Sequence, residues 1–85
     1  MDPIESRIRT FLQEQFPVPE QLPAAESLLD SGIIDSIGVL TLVTWLEQEF
    51  GFLVEDDEVL PENLDSVANL VAYVGTKLDA AAAAG

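Results

Sequence analysis

Apolar residues recur at helical spacing in three separate segments of this chain, and this periodicity restricts the possible folds more than any other feature. The pattern predicts helices over residues 3–16, 36–50 and 67–78, each with its apolar positions on one face. No segment alternates apolar and polar residues over more than a few positions, as a half-buried strand would. The sequence therefore predicts an all-α fold.

Capping and stop signals agree with these three helices. Asp2 is placed to cap the first helix, Pro3 suits its first position, and Pro17 ends it. Gly51 follows the second helix as a stop signal, and Ser66 is a suitable cap for the last one.

Two irregular stretches separate the helices. Residues 17–34 hold three prolines and a glycine, and the apolar pairs at 28–29 and 33–34 predict a long loop that is pinned to the core. A short third helix is expected within 56–64, because Pro61 is suited to start a helical turn.

The chain has room for one small domain, because a length of 85 residues supports a single modest core. We expect a four-helix bundle over residues 1–79, in which the first, second and last helices form the main bundle. An alanine-rich tail follows at 80–85 and is expected either to extend the last helix or to fray.

Two residue types that carry much of enzyme chemistry are missing from the sequence. The chain has no cysteine and no histidine, so it lacks the usual general base near neutral pH and the partner that activates a serine nucleophile. It also lacks thiolate and imidazole metal ligands. We therefore expect a protein that is not an enzyme.

The charge of the chain indicates its partners. Sixteen acidic residues against three basic ones give a formal net charge of −13, which repels the phosphates of nucleic acids and anionic lipid heads. Basic protein surfaces are the expected partners. No apolar stretch has the length of a membrane span, and the N-terminus has an acid at its second position instead of the basic region of a secretion signal, so we expect a cytoplasmic protein. We also expect a monomer.

The acids do not form a recognisable metal site in the sequence. The calcium-binding loop pattern fails when it is started at Asp30, because its third and fifth positions fall on Gly32 and Ile34. The acidic run 55–58 has two interpretations: a solvated face, which such runs usually are, or a contact for basic partners.

The pair Asp35-Ser36 places a hydroxyl at the expected start of the second helix. Taken alone, these residues are typical of helix caps. Gly38 lies inside the same first turn at a cost of about 1 kcal/mol relative to alanine, so either another group approaches closely there or the glycine is merely tolerated.

The surroundings of this pair add a second interpretation. Residues 35–37, Asp-Ser-Ile, are preceded by Leu-Leu-Asp-Ser-Gly at 28–32 and followed by an amphipathic helix ending in Glu-Phe-Gly at 49–51. With the four-helix order, the long first loop and Asp-Ser-Val at 65–67 opening a helix that contains Tyr73, this arrangement resembles the acyl and peptidyl carrier protein family. The resemblance covers nearly the whole chain.

This resemblance implies a function for Ser36. In the family, the matching serine receives 4′-phosphopantetheine from coenzyme A through a phosphopantetheinyl transferase, and the arm then carries an acyl or aminoacyl group as a thioester. A helix N-terminus favours the phosphodiester that the modified serine would carry. Asp35 then has two possible roles: it caps the helix, or it orients an incoming metal or a basic transferase residue.

The resemblance also implies that the second helix faces partner enzymes. Six positions lie off its apolar stripe, and Ile37 and Leu40 are the candidate apolar contacts among them. Packing at the edge of the core is the alternative for both, whereas Glu47 is expected to be exposed. The full set of candidate partner-binding residues is Ile37, Leu40, Thr41, Thr44, Glu47 and Gln48.

Two features of the second helix bear on the cargo: its low number of acids and the residues at its start. Fatty-acid carriers usually have more acids along this helix, whereas Gly38, Thr41 and Thr44 leave its first half uncharged. Ser-Ile-Gly at 36–38 is similar to carriers that an adenylating ligase loads, including the D-alanyl carrier type. Fatty acyl, polyketide and aminoacyl cargoes all remain open, as do the downstream enzymes that would receive them.

Two other functions compete with the carrier interpretation. An unmodified acidic interaction module would use Ser36 only as a cap and would keep its function in the Ser36→Ala variant. A hydrolase acting through Ser36 would need a base, but the chain has no histidine and its only lysine, Lys77, is far away in the sequence.

Overall fold

The computed structural model describes residues 3–16, 18–19 and 21–84, and all regular structure in these ranges is helical. The all-α prediction is confirmed. The elements in chain order are helix α1 (Pro3–Gln15), helix α2 (Ser36–Phe50), a 3₁₀ turn (Asp56–Glu58), helix α3 (Pro61–Leu64) and helix α4 (Val67–Ala84).

Helix α4 is the central element of the bundle, because it packs against α1, α2 and α3. Its Val67, Leu70 and Val74 have no solvent-exposed surface. They meet residues from the predicted apolar stripes of α1 and α2, which confirms that helical periodicity marks the buried faces. The other fully buried large side chains are Ile8, Leu12, Leu28, Leu42 and Leu46.

The aromatic side chains form one continuous chain of ring contacts across the bundle. Phe11 of α1 stacks on Trp45 of α2 with ring centroids 4.3 Å apart, and this contact joins the two helices. Each further pair in the chain also lies within 6.3 Å. The order of the rings is Phe16, Phe11, Trp45, Phe50, Phe52 and Tyr73.

The long first loop is pinned to the start of α4, as predicted. The Leu28 N–H donates to the Asp65 carbonyl at 2.6 Å, and the Ala68 N–H donates to the Ala24 carbonyl at 2.8 Å. Leu28 and Ile34 are buried, whereas their neighbour Leu29 is exposed. Ile33 also packs against the core, so the pair at 33–34 anchors the loop with both residues and the pair at 28–29 with Leu28.

The short third helix expected within 56–64 is present as α3, and it is separate from the 3₁₀ turn because Leu60 is extended (φ −130°, ψ 148°), as the residue before a proline tends to be. Of the two alternatives for the alanine-rich tail, extension of the last helix is correct: α4 continues beyond residue 78 to Ala84, since alanine has the highest helix propensity of any residue. The predicted Asp2 cap lies outside the described residues.

The remaining helix boundaries agree closely with the sequence analysis. Helix α2 has the predicted bounds, and it ends at Gly51, whose positive φ of 75° is a conformation that glycine adopts without strain. Helix α1 stops one residue before the predicted end. Within the described ranges, none of the helices is long and apolar enough to cross a membrane.

Candidate functional site

The start of α2 is capped by Asp35 and not by Ser36. Asp35 has extended dihedral angles (φ −110°, ψ −173°), and its Oδ1 accepts the Gly38 N–H at 2.7 Å. Its carbonyl accepts the first helical hydrogen bond, from the Val39 N–H at 2.9 Å. Of the two roles predicted for Asp35, the structure provides the capping role.

Ser36 is consequently the first residue of the helix, one position after the cap. Its side chain is exposed, and its hydroxyl makes no hydrogen bond to any part of the chain that the structure describes. The positive end of the α2 dipole lies beside this hydroxyl. Ser36 thus combines an accessible oxygen with a local field that favours an attached anion.

The Asp-Ser pair at the start of α4, Asp65-Ser66, has the opposite arrangement. Ser66 is only 4% exposed, and its Oγ accepts the Asn69 N–H at 3.1 Å as the cap of α4. The same hydroxyl donates to Asn69 Oδ1 at 2.5 Å. Ser66 is therefore fully used in the structure, whereas Ser36 is not.

Gly38 allows the loop to approach the first turn of α2 closely. A Cβ at this position would lie 3.0 Å from Phe16 Cε1, 3.1 Å from Ile34 Cγ2 and 3.3 Å from Asp35 Oδ1. Of the two explanations predicted for this glycine, close approach is the correct one. Because Gly38 has no side chain, Phe16 and Ile34 of the segment between α1 and α2 can pack directly against the first turn of α2.

Most of the candidate partner-binding residues lie on an exposed face of α2. Ile37 is 74% exposed and Leu40 is 66% exposed, so the alternative of core packing is wrong for both. Thr41 and Thr44 are exposed, with hydroxyls that donate to backbone carbonyls one turn earlier. Gln48 is exposed on the same helix.

Glu47 is the exception, and the expectation that it is exposed is wrong. Its side chain is partly buried, and its Oε2 accepts the Val54 N–H at 2.9 Å. This bond holds the chain that turns back after Gly51. Glu47 therefore stabilises the segment between α2 and the 3₁₀ turn.

Within the acidic run 55–58, Glu58 forms a cluster with residues of α4. Its Oε1 accepts hydrogen bonds from Lys77 Nζ at 2.8 Å, from Tyr73 Oη at 3.2 Å and from the Glu55 N–H at 3.0 Å. The hydrogen bond from Lys77 lowers the pKa of Glu58. Burial, reinforced by the charge of Glu58, raises the pKa of Tyr73.

Asp65 is an important residue that sequence reasoning missed. Its Oδ2 accepts the Ser27 hydroxyl at 2.7 Å and its Oδ1 accepts the Leu29 N–H at 3.0 Å. The carboxylate thereby anchors the loop that leads to Ser36. No local signal could have identified this role, because the partners are 36 and 38 positions away.

A small apolar cavity lies between the start of α2 and the segment around α3. It measures about 90 Å³ and is lined only by apolar residues of the first loop, α2 and the segment around α3. Ile34 and Val39 belong to this lining and flank Ser36 in the sequence. The described residues contain no group of three or more histidine, cysteine, aspartate or glutamate side chains suited to hold a metal ion.

The chain was compared with known protein families. Residues 6–74 match the family described as "Phosphopantetheine attachment site". The chain belongs to this family. Its members carry covalently attached 4′-phosphopantetheine, and the resemblance to acyl and peptidyl carrier proteins is thereby confirmed, together with the cofactor and the carrier function.

Individual relatives support the same family. An acyl carrier protein from Renibacterium salmoninarum is 36% identical over 58 residues, covering 68% of this chain and 69% of the relative. A D-alanyl carrier protein from Abiotrophia defectiva is 33% identical over 54 residues, covering 64% and 68%. An acyl carrier protein from Thermotoga maritima is 32% identical over 76 residues, covering 88% and 91%.

The start of α2 has the features that the phosphopantetheine group requires. The exposed Ser36 hydroxyl would provide the ester oxygen, and the helix N-terminus is suited to the phosphodiester charge. When bound, the group supplies the thiol that this cysteine-free chain lacks.

Proposed function

We propose that Ser36 is the attachment residue and that the chain carries an acyl or aminoacyl group on the phosphopantetheine arm bound there. The observation that supports this most strongly is the contrast between the Asp-Ser pairs at the starts of α2 and α4. Ser36 is exposed and not needed as a cap, whereas Ser66 is buried and bonded. A family member needs one accessible serine at a helix start, and Ser36 meets that condition.

The modification requires an external catalyst. The chain has no histidine to deprotonate the Ser36 hydroxyl, and the Lys77 ammonium is engaged by Glu58 at 2.8 Å. A phosphopantetheinyl transferase would therefore bring the base and coenzyme A to the site. Asp35 supports the reaction by fixing the first turn of α2, and the carrier itself is not an enzyme.

Loading by a transferase tests this proposal. The apo protein is incubated with coenzyme A, magnesium and a broad-specificity phosphopantetheinyl transferase, and the intact mass is then measured. We expect one added phosphopantetheine on the wild type and none on Ser36→Ala. If a folded wild-type sample gains no mass, the unmodified interaction module becomes the better interpretation.

The exposed face of α2 is the surface that we propose for partner enzymes. Ile37 and Leu40 supply apolar contacts beside the attachment residue, and Thr41, Thr44 and Gln48 supply neutral polar ones. Glu47 is no longer a strong member of this set, because its carboxylate is bonded to Val54. The replacement Leu40→Ala is expected to slow the transfer of phosphopantetheine by the transferase without lowering the melting temperature.

The cargo is proposed at a coarser level than the cofactor. One relative is a D-alanyl carrier protein, and the first half of α2 is uncharged here, as expected for a carrier that an adenylating ligase loads. We therefore favour an amino acid or specialised acyl group over a primary fatty acyl chain. A panel of adenylating ligases with radiolabelled substrates separates these cargoes, and downstream acyl-transfer enzymes would then receive them.

The charge and size of the chain bear on its oligomeric state and its location. A net charge of −13 disfavours association between copies and with nucleic acid or anionic lipid. We propose a monomeric carrier domain over residues 1–79, followed by the tail 80–85, that works in the cytoplasm. Size-exclusion chromatography with light scattering tests the monomeric state.

A further inference from the structure

A shallow groove between α1 and α2 starts beside Ser36 and follows α2. Its first part, of about 390 Å³, is lined in part by Asp35 and Gly38, the residues on either side of the start of the helix. Its second part, of about 450 Å³, extends to Gln48. Ile37 and Thr41 line both parts, so the two parts are continuous with each other, and the first part is lined by Asp35 and Ile37, the chain neighbours of Ser36.

The second part of the groove is uncharged in a strongly acidic protein. Its floor includes the stacked rings of Phe11 and Trp45. Thr41 and Thr44 donate their hydroxyl protons to backbone carbonyls of α2, which leaves the hydroxyl oxygens as acceptors toward the groove. Gln15, on α1, adds a side-chain amide from the other wall.

We propose that this groove is the resting site of the phosphopantetheine arm, an inference that relies on the proposed attachment to Ser36. Beyond its phosphate the arm is uncharged and alternates amide groups with methylene and methyl groups. It therefore matches a groove whose walls alternate hydroxyls and amides with apolar side chains. From Ser36 to Gln48 the helix rises about 18 Å, which suits an extended chain tethered at one end.

The apolar cavity on the other side of α2 is a poorer site for the arm. Its volume is about 90 Å³, and its lining offers only apolar side chains. Amide groups that enter such a cavity lose their hydrogen bonds to water without replacement, which is unfavourable. The groove imposes no such cost, because it is open to water and has polar walls.

The position of the resting site suggests how a partner enzyme releases the arm. Ile37 and Leu40 border the groove and belong to the surface proposed for partner enzymes. A partner that covers these two side chains displaces the arm from the groove. The arm is then free to enter the partner's own site.

A spin label on the arm tests this inference in the loaded protein. Because the chain has no cysteine, a maleimide nitroxide reacts only with the thiol of the arm. We expect the amide signals of Gln15, Thr44 and Gln48 to lose more intensity than those of Leu60 and Leu64, when each is compared with the ascorbate-reduced sample.

Two threonines that make the same local bond provide a matched pair of variants. The hydroxyls of Thr44 and Thr76 each donate at 3.0 Å to a carbonyl four residues earlier, but only Thr44 lines the groove. We expect Thr44→Ala to reduce the broadening at Gln15 and Thr76→Ala to leave it unchanged.

The possible failures of this experiment are distinguishable. A protein that gains no mass with transferase cannot be labelled, and this result overturns the attachment to Ser36. A loaded protein in which the label broadens Leu60 and Leu64 most, or broadens the whole surface evenly, overturns the resting site alone.

Discussion

The starts of α2 and α4 have almost the same sequence, Asp-Ser-Ile and Asp-Ser-Val, but different structures. At α2 the aspartate caps and the serine is exposed as the first helical residue. At α4 the serine caps and is buried, and the aspartate anchors the first loop. A shift of one residue in the cap decides whether the hydroxyl is used by the fold or is free for modification.

The largest expected difference between the two starts concerns their aspartates. Asp65→Ala removes the acceptor of both the Ser27 hydroxyl and the Leu29 N–H, so we expect a loss of about 2.5 kcal/mol of unfolding free energy. Asp35→Ala removes one cap bond and should cost less than half as much. Urea unfolding of both variants measures this; equal losses would contradict the assigned roles.

Substitution of the serine should also destabilise the protein more at the start of α4 than at the start of α2. Ser66→Ala removes the cap of α4 and leaves the Asn69 N–H without its partner, so a loss of about 1.5 kcal/mol is expected. Ser36→Ala should change stability by less than about 0.5 kcal/mol, because its hydroxyl has no bond in the described structure. A destabilised Ser36→Ala would show that Ser36 is a structural cap after all.

Gly38 is the third position of α2, and its substitution tests how tightly the loop supports this helix start. Gly38→Ala places a methyl 3.0–3.3 Å from three groups, and we expect a net loss of about 1 kcal/mol from crowding despite the gain in helix propensity. Gly75→Ala is the control, since nothing lies within 4 Å there. It should raise the melting temperature, and a similar rise for Gly38→Ala would exclude the close approach.

The smallest expected effect concerns Glu58, the acid that ties the 3₁₀ turn to α4. Its folded-state pKa lies below the ordinary value of 4.5, so its stabilisation is complete above that pH and is lost as the pH falls through the folded pKa. Glu58→Gln should cost about 0.5 kcal/mol at pH 7, since the pair is partly exposed. Thermal melts should show a smaller difference at pH 3 than at pH 7; a constant difference would contradict the ionic origin.

The sequence predicted the helices but not the side-chain hydrogen bonds that connect them. The bounds of α2 followed from its apolar stripe and from Gly51, because both signals act within a few residues. The roles of Asp65 and Glu47 did not, since Asp65 bonds to residues far away in the sequence and Glu47 bonds across a turn whose path no local pattern specifies.

The site itself was predictable in part. The resemblance pointed to Ser36 as the candidate attachment residue, but the sequence left open whether Asp35 or Ser36 supplies the cap and whether Ile37 and Leu40 are buried. A stripe of apolar residues that is wider than the core contact cannot be divided by periodicity alone. The structure decides it, because Ile37 and Leu40 are exposed whereas Leu42 and Leu46 of the same helix are fully buried.

Locating the phosphopantetheine on the chain tests the central claim most directly. Trypsin is unsuitable, because the basic residues nearest to the two serines, Arg9 and Lys77, leave Ser36 and Ser66 on one peptide. A glutamate-specific protease separates them, and tandem mass spectrometry of the loaded protein then assigns the modified residue. We predict phosphopantetheine on Ser36 alone; modification of Ser66, or of neither serine in a folded sample, would contradict the account.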